Sequence, residues 1–267
     1  MLVHQIAVNN SLRNYIYLVA CPKTLEAVAI DPLDHERTLA AANHLGWQIR
    51  GVINTHEHYD HIGGNEPMVA ATGATLYAHH AASDKIPNVD VGLKANDTVQ
   101  VGSSVVLHAL DTPGHTFCHT CLLFKGNDAH PAYALFSGDT LFNAGVGNCH
   151  NGGDPSVMYD TFADQIYGLP DTTKVYPGHD YIVNNLKFTL DREPDNVAAA
   201  SLLAAMQQWH SEPHFVSNLA MERAVNSFFR LDSHSIRAKL STEFSELKAD
   251  ASNKAVFLKL RELRNKW

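Results

Sequence analysis

Short apolar and alternating runs in the first part of the chain predict strands separated by turn residues. The first are Leu2–Val8, Tyr15–Ala20, Leu25–Ile30 and Ile49–Asn54. Apolar residues at helical spacing predict a helix over His35–Leu45, and Gly46 ends it.

Strand-like runs recur further along the chain, but only as far as about residue 180. They are Thr75–Ala78, Val105–Asp111, Thr120–Phe124, Ala132–Ser137 and Lys174–Tyr176, with a helical pattern over Pro155–Tyr167. Beyond residue 180 the predicted elements are all helices, at Asn196–Trp209, Leu219–Phe228, His234–Phe244 and Lys254–Trp267. We therefore expect two packed sheets flanked by helices in an α/β domain of residues 1–180, and a helical domain of residues 181–267.

Composition and charge narrow the class of protein. The 267 residues are 45% hydrophobic and 18% charged, as in an ordinary globular protein. A net charge of −8 argues against a nucleic-acid partner, which needs a basic surface. The 17 histidines are many for this length, and they raise the expectation of a metal site.

The four cysteines are too few for a disulfide framework. No signal peptide and no apolar run of about 18 residues is visible, so we expect a cytoplasmic protein without a membrane partner. The sequence does not distinguish a monomer from a small homo-oligomer.

The strongest candidate for chemistry is the segment from Thr55 to His61, which reads Thr-His-Glu-His-Tyr-Asp-His. Alternate residues of an extended turn point the same way, so His56 and His58 can converge on one ion. Asp60 and His61 would then lie where a second ion could bind. A solvated histidine-rich loop is the alternative, but four ligand-type residues at this spacing favour a metal site.

Three further ligand-type residues follow predicted strands and lie beside glycines, which allow the backbone to turn tightly. They are His115 in Pro-Gly-His-Thr, Asp139 in Ser-Gly-Asp-Thr and His179 in Pro-Gly-His. Strand ends that meet at one edge would bring these side chains to a common site.

Together these motifs resemble the signature motifs of the metallo-β-lactamase superfamily, and within it the chain is most similar to glyoxalase II, the hydroxyacylglutathione hydrolases. The resemblance implies a four-layer αββα sandwich with a dinuclear metal site and a C-terminal α-helical domain. It implies that His56, His58 and His115 hold the first ion, that Asp60, His61 and His179 hold the second, and that Asp139 bridges the two.

Imidazoles and carboxylates suit Zn²⁺, Fe²⁺ or Mn²⁺, and we expect zinc first. Two such ions lower the pKa of a bridging water towards about 7, which provides a hydroxide nucleophile at neutral pH. Asp60 and Asp139 are the carboxylates expected to act with it. A thiolate leaving group needs no strong general acid, which suits a thioesterase.

Candidate substrate contacts come from the same resemblance. Arg261 and Arg264 share a helix face, and paired guanidinium groups suit the carboxylates of glutathione. Tyr181 corresponds to a glutathione-binding tyrosine of the family. The alternative for the arginines is a solvated basic helix end.

The Ala144–Asp154 segment departs from the family pattern, with Asn148 and His150 where basic and aromatic glutathione contacts are usual. We expect these two residues to contact the substrate, His150 being equally interpretable as a plain loop residue. We interpret Asp31 as a turn or cap residue, and Cys118 to Cys121 as part of an ordinary strand.

Three functions follow from these observations. The first is hydrolysis of S-(2-hydroxyacyl)glutathione, such as S-lactoylglutathione, to glutathione and a 2-hydroxy acid. The second is hydrolysis of a different thioester or a lactone, or less plausibly a β-lactam, on the same fold. The third is a sulfur dioxygenase with one iron, which the intact second set of ligands disfavours.

Overall fold

The structure is a computed structural model that describes residues 1–126, 133–209, 214–248 and 250–267. One sheet has the order β1-β2-β3-β4-β5-β6, and its strands are β1 (Leu2–Ala7), β2 (Tyr15–Ala20), β3 (Glu26–Ile30), β4 (Gln48–Ile53), β5 (Thr75–His79) and β6 (Val91–Leu93). The strands β1 to β3 pair antiparallel, and β3 to β6 pair parallel.

The second sheet has the order β14-β13-β10-β9-β8-β7. Its strands are β7 (Thr98–Val101), β8 (Val105–Asp111), β9 (Thr120–Phe124), β10 (Ala134–Gly138), β13 (Lys174–Pro177) and β14 (Ser217–Asn218). Two short strands, β11 (Leu141–Phe142) and β12 (Gly145–Val146), form a separate hairpin directly after β10.

Nine α-helices lie in the described part of the chain. They are α1 (His35–Leu45), α2 (Tyr59–Ile62), α3 (Asn65–Thr72), α4 (Pro155–Thr161), α5 (Ile182–Arg192), α6 (Val197–Gln207), α7 (Leu219–Val225), α8 (His234–Glu243) and α9 (Asn253–Arg264). None of the helices in those ranges combines the length and apolarity needed to cross a bilayer.

The layers follow from which side chains pack together. Successive residues of a strand face opposite sides of the sheet, and in β2 Tyr17 faces a core shared with Leu107 and Phe136 of the second sheet. Leu18 of the same strand faces a separate core with Met68 of α3. Both faces are covered, which explains why every residue of β2 is buried.

The outer face of the second sheet packs on the later helices. Leu123 and Leu135 of that sheet share a core with Leu240 of α8 and Phe257 of α9. The four layers are therefore helix, sheet, sheet, helix, and the predicted αββα sandwich with a C-terminal helical region is confirmed. The division into domains of residues 1–180 and 181–267 stays a prediction.

Several elements differ from the sequence expectations. The expectation of no strand beyond residue 180 is wrong, because β14 pairs with β13 at the sheet edge. Two residues are too short to carry a periodic signal. The helix expected over Pro155–Tyr167 ends at Thr161 and continues as a π-helical turn over Phe162–Ile166. The strand expected from Ala132 begins at Ala134, and Ala132 itself lies outside the described residues.

Candidate metal centre

Four strands of the two sheets end at the candidate site. His56 and His58 lie in the loop that leaves β4, and Asp60 and His61 lie in the short helix α2 that follows it. His115, Asp139 and His179 follow β8, β10 and β13. Hydrogen bonds tie these ends together: Gly178 N–H donates to the Gly138 carbonyl, and Tyr15 N–H donates to the Gly178 carbonyl, both at 2.8 Å. The seven residues expected as ligands come together at these strand ends. A first group contains His56, His58 and His115, a second contains Asp60, His61 and His179, and Asp139 joins His56 and His61 in a set that overlaps both. Within each set the donor atoms lie no more than 4.8 Å apart.

Three imidazoles form the first group. Nδ1 of His58 lies 3.0 Å from Nε2 of His56 and 3.0 Å from Nε2 of His115. His56 and His115 are buried, whereas His58 is partly exposed.

The second group contains two imidazoles and a carboxylate. Nε2 of His61 lies 3.2 Å from Nε2 of His179, and Oδ2 of Asp60 lies 3.5 Å from each. Asn14 holds Asp60 in place, since its side-chain amide donates to Oδ2 at 2.9 Å and to the Asp60 carbonyl at 3.0 Å.

Asp139 lies between the two groups. Its Oδ2 is 3.5 Å from Nε2 of His115 and 3.2 Å from Nε2 of His179, and its Oδ1 is 3.5 Å from Nε2 of His61. The carboxylate thus adjoins both groups, as expected for a bridging ligand.

These distances fit a pair of divalent cations. Ligand nitrogens around a tetrahedral zinc with bonds of ~2.1 Å lie about 3.4 Å apart, close to the spacings in both groups. Oδ1 of Asp139 is buried and has no hydrogen-bond partner among the described residues. A buried, unpaired carboxylate oxygen is costly unless a cation balances it. The histidine and aspartate groups therefore suit a dinuclear metal site.

In each of the five imidazoles, the ring nitrogen that points away from the site lies against an oxygen acceptor. The ring nitrogen that faces the site is therefore free to bind a metal. The acceptors are Thr55 Oγ1 for His56 (3.0 Å), Asn151 O for His58 (2.9 Å), Asp31 Oδ2 for His61 (2.9 Å), Asn148 O for His115 (2.6 Å) and Leu12 O for His179 (2.8 Å). His58 consequently presents Nδ1 to the site, and the other four present Nε2.

The electrostatics of the site are dominated by burial and by close opposite charges. Burial by itself lowers the pKa of His61, but Asp139 and Asp31 outweigh it and raise that pKa to about 9. Burial likewise opposes ionisation of Asp139, yet His179 and His61 hold its pKa below the usual value. For His56 burial and the neighbouring histidines act together, and its pKa is well below the ordinary value. The cluster thus combines a retained carboxylate charge at Asp139 with a neutral imidazole at His56.

Asp31, which the sequence predicts to be a turn or cap residue, also supports the ligand His61. This buried carboxylate accepts hydrogen bonds from Thr55 N–H at 2.8 Å, from Thr55 Oγ1–H at 2.7 Å and from His61. Its backbone has a positive φ of 51°. The available signal was its place after a strand end, the same signal that identified Asp139.

His119 is the second residue that was missed. Its Nε2 accepts a hydrogen bond from Asp139 N–H at 3.2 Å, and its ring stacks on His56 with centroids 5.2 Å apart. The ring is fully buried. It lies in the Cys118–Cys121 segment, for which the sequence predicts an ordinary strand, although β9 begins only at Thr120.

One of the predicted substrate residues, Tyr181, lies beside the second ligand group. Tyr181 stacks on His179 with centroids 5.0 Å apart, and its hydroxyl lies 3.3 Å from His179 Nδ1. Burial, followed by Asp139, raises the pKa of this tyrosine to about 12. Arg264 is partly buried and donates from Nη2 to Asn185 Oδ1 at 3.0 Å.

The remaining predicted contacts lie on or beneath the Ala144–Asp154 loop. Asn148 and His150 are exposed, and the His150 N–H donates to Asn148 Oδ1 at 3.1 Å. Arg261 is only 3% exposed, and its guanidinium donates to backbone carbonyls of the loop. Direct contact of these residues with a substrate stays a prediction.

Comparison with known proteins agrees with this geometry. The metallo-beta-lactamase superfamily model matches residues 13–179, and the model described as hydroxyacylglutathione hydrolase C-terminus matches residues 180–267. Hydroxyacylglutathione hydrolases from Nitrosococcus oceani and from a Polaromonas species are each 55% identical over all 267 residues and over the whole of the relative. Among solved structures, ETHE1 from Myxococcus xanthus is similar, with a TM-score of 0.69 and 26% identity over 98% of this chain and 90% of that one. The chain belongs to the metallo-β-lactamase superfamily and, within it, to the hydroxyacylglutathione hydrolase family.

Proposed function

We propose that this protein hydrolyses the thioester of S-(2-hydroxyacyl)glutathione, such as S-lactoylglutathione, to glutathione and a 2-hydroxy acid. The observation that carries the proposal is 55% identity, over the full length of both chains, to hydroxyacylglutathione hydrolases. The seven convergent ligand-type residues supply the matching chemistry.

Two divalent ions, of which zinc fits the donors best and iron or manganese are alternatives, would be held by these seven residues. His56, His58 and His115 would hold the first, Asp60, His61 and His179 the second, and Asp139 both. When bound, such a pair activates water near neutral pH and polarises a carbonyl oxygen.

The chain's own groups would orient the reactants and balance charge. Asp60 and Asp139 supply the negative charge of the site, and Oδ2 of Asp139 lies 3.5 Å from His115 in the first group and 3.2 Å from His179 in the second. The leaving thiolate is stable near neutral pH and needs no strong acid. Tyr181 and Arg264 would contact the glutathione portion of the substrate, where the guanidinium of Arg264 would pair with a glutathione carboxylate.

A different thioester, or a lactone, is the second candidate, and one observation favours it. The exposed residues of the 144–154 loop include Asn148 and His150 rather than a basic side chain. A neutral contact there is weaker than a charge-assisted one, by roughly a factor of two in energy. A one-iron sulfur dioxygenase would leave Asp60, His61 and His179 without a purpose, so it is the least supported alternative.

Steady-state hydrolysis of S-lactoylglutathione by metal-loaded protein tests the proposal directly. The same sample is assayed against an acyl thioester of another thiol and against a simple lactone, with metal analysis and an oxygen electrode alongside. We expect a clear preference for S-lactoylglutathione, two ions per chain and no oxygen consumption. Preference for another substrate supports the second candidate. One tightly held iron with oxygen uptake supports the dioxygenase.

A further inference from the structure

The loop over residues 144–154, where the chain departs from its family pattern, lies directly against the ligands of the first group. Gly147 N–H donates to the Thr140 carbonyl at 3.3 Å. A Cβ added to Gly147 would lie 1.8 Å from the Asp139 carbonyl oxygen and 3.1 Å from His115 Nδ1. No side chain fits there, so the loop backbone is pressed onto both residues.

The same loop supplies the acceptors behind two of the three imidazoles of the first group. The Asn148 carbonyl accepts from His115 Nδ1 at 2.6 Å, and the Asn151 carbonyl accepts from His58 Nε2 at 2.9 Å. A carbonyl can only accept, so each contact places the ring proton on the outer nitrogen and leaves the inner nitrogen unprotonated. The position of this backbone therefore decides the tautomer of both rings.

Arg261 of α9 holds the beginning of this loop. Its Nη1 donates to the carbonyls of Val146 and Gly147, each at 2.9 Å. Its Nε and Nη2 donate to Asn265 Oδ1 at 3.2 and 2.8 Å, and the Phe228 ring lies 5.7 Å from the guanidinium carbon. The hydrogen-bond acceptors of Arg261 are all neutral oxygens of the protein itself.

We propose that Arg261 is a positioning residue of the first metal site. By clamping the Val146 and Gly147 carbonyls, it fixes the course of the loop, and the loop then fixes His115 and His58. This differs from the direct glutathione contact that the family resemblance implies for Arg261. The inference rests on the proposed function only for its kinetic readout.

The test compares Arg261→Lys and Arg261→Met with Lys266→Met, which removes an exposed cation just beyond the end of α9 that pairs with Glu262. Lysine keeps the charge but cannot bond two loop carbonyls and Asn265 together. Metal titration should show first-site affinity about 10–100-fold weaker in Arg261→Met, as expected for loss of an orienting contact. Arg261→Lys should fall between that variant and the parent, and Lys266→Met should match the parent.

Nitrogen-15 spectra of the metal-free protein provide a readout independent of activity. The parent should show His115 protonated at Nδ1 and His58 at Nε2, and both Arg261 variants should show mixed tautomers. With S-lactoylglutathione, kcat should fall while KM changes less than about twofold, the pattern of an interaction made in the transition state. Raised KM with parental kcat, tautomers and metal affinity would overturn the proposal and restore the direct substrate contact.

A further variant leaves the buried Arg261 in place, so the proposal can be tested even if the Arg261 variants misfold. Asn265 is exposed, and Asn265→Ala removes the acceptor of Nε and Nη2. We expect first-site affinity to weaken about threefold, because the two lost hydrogen bonds to this exposed side chain are each modest. Parental affinity and tautomers in this variant, if the Arg261 variants fail to fold, would contradict the proposal. If the parent does not hydrolyse S-lactoylglutathione, the proposed function fails while the metal and tautomer readouts still decide the role of Arg261.

Discussion

Asp31 and His61 form a buried pair in which the imidazole Nδ1–H donates to the carboxylate Oδ2 at 2.9 Å, and their side chains are 4% and 1% exposed. The carboxylate orients the ring so that Nε2 faces Asp60 and His179. Outer carboxylates of this kind raise the basicity of a metal-binding histidine.

Asp31→Asn should weaken binding of the second ion by about 10–100-fold, because asparagine carries no charge to balance the metal-bound imidazole. Asparagine also tolerates the positive φ at this position, so the backbone should persist. Metal titration that resolves the two sites measures the effect. Asp34→Asn, which changes the partly exposed cap of α1, is the control and should bind both ions normally. A larger loss at the first site than at the second would contradict the assignment of His61.

Asp139→Ala should remove both activity and both ions. Its carboxylate lies within 3.5 Å of His61, His115 and His179, so each group loses an anionic ligand at once. Elemental analysis of purified protein checks the metal content, and replacement of the exposed Asp164 is the comparison. Two ions per chain in the Asp139 variant would refute the bridging role.

His119→Leu should lower the free energy of unfolding of the metal-free protein by about 1–3 kcal/mol, because the buried Asp139 N–H loses its acceptor. His119→Gln can supply a carbonyl oxygen and should lose less. Urea denaturation of both variants measures the difference. Equal stability of the two would mean that the hydrogen bond to Asp139 contributes nothing.

Arg264→Ala should raise KM for S-lactoylglutathione roughly tenfold with little change in kcat, since a contact made equally in the ground and transition states affects binding alone. Lys259→Ala changes another cation of α9, one that pairs with Glu246 and Glu262, and should leave KM unchanged. A fall in kcat with constant KM would instead connect Arg264 to the reacting atoms.

Stability at acid pH should depend on Glu193, which is 3% exposed and paired with Arg230 at 2.6 Å. Burial opposes ionisation of this carboxyl, but hydrogen bonds from Arg230, Ser233 and Asn196 outweigh it, so its pKa lies below the ordinary value. The stabilisation is therefore present above the unfolded-state pKa of about 4.3 and is lost as pH falls through the lower folded-state pKa.

Glu193→Gln should lower the free energy of unfolding at neutral pH by about 1.5–3 kcal/mol, the range for a hydrogen bond to a charged group. It should also flatten the loss of stability between about pH 5 and pH 3. Denaturation at a series of pH values shows both effects. Glu26→Gln, at a more exposed pair with Arg50, should change stability far less. Parallel pH curves for Glu193→Gln and the parent would rule out this carboxyl as a contributor.

The ligand set was accessible from sequence because metal chemistry restricts both residue type and spacing. His56, His58, Asp60 and His61 lie within six consecutive residues after β4. His115, Asp139 and His179 each follow a strand and adjoin a glycine. The alternation and helical periods likewise predicted two packed sheets flanked by helices, and the motif resemblance implied the four-layer αββα arrangement. The elements that were missed, such as β14, are too short to show a period.

Contacts behind the ligands could be decided only by the tertiary structure. Asp31 and His119 carry no motif of their own, and they reach His61 and Asp139 because separate strands end at the same edge. Arg261 looks in sequence like any cation of a basic helix end. Packing of α9 against the second sheet buries it and turns its donors to the Val146 and Gly147 carbonyls. Residue type and local spacing thus determined the metal-binding chemistry, whereas the supports that orient it depend on long-range packing, which local sequence does not encode.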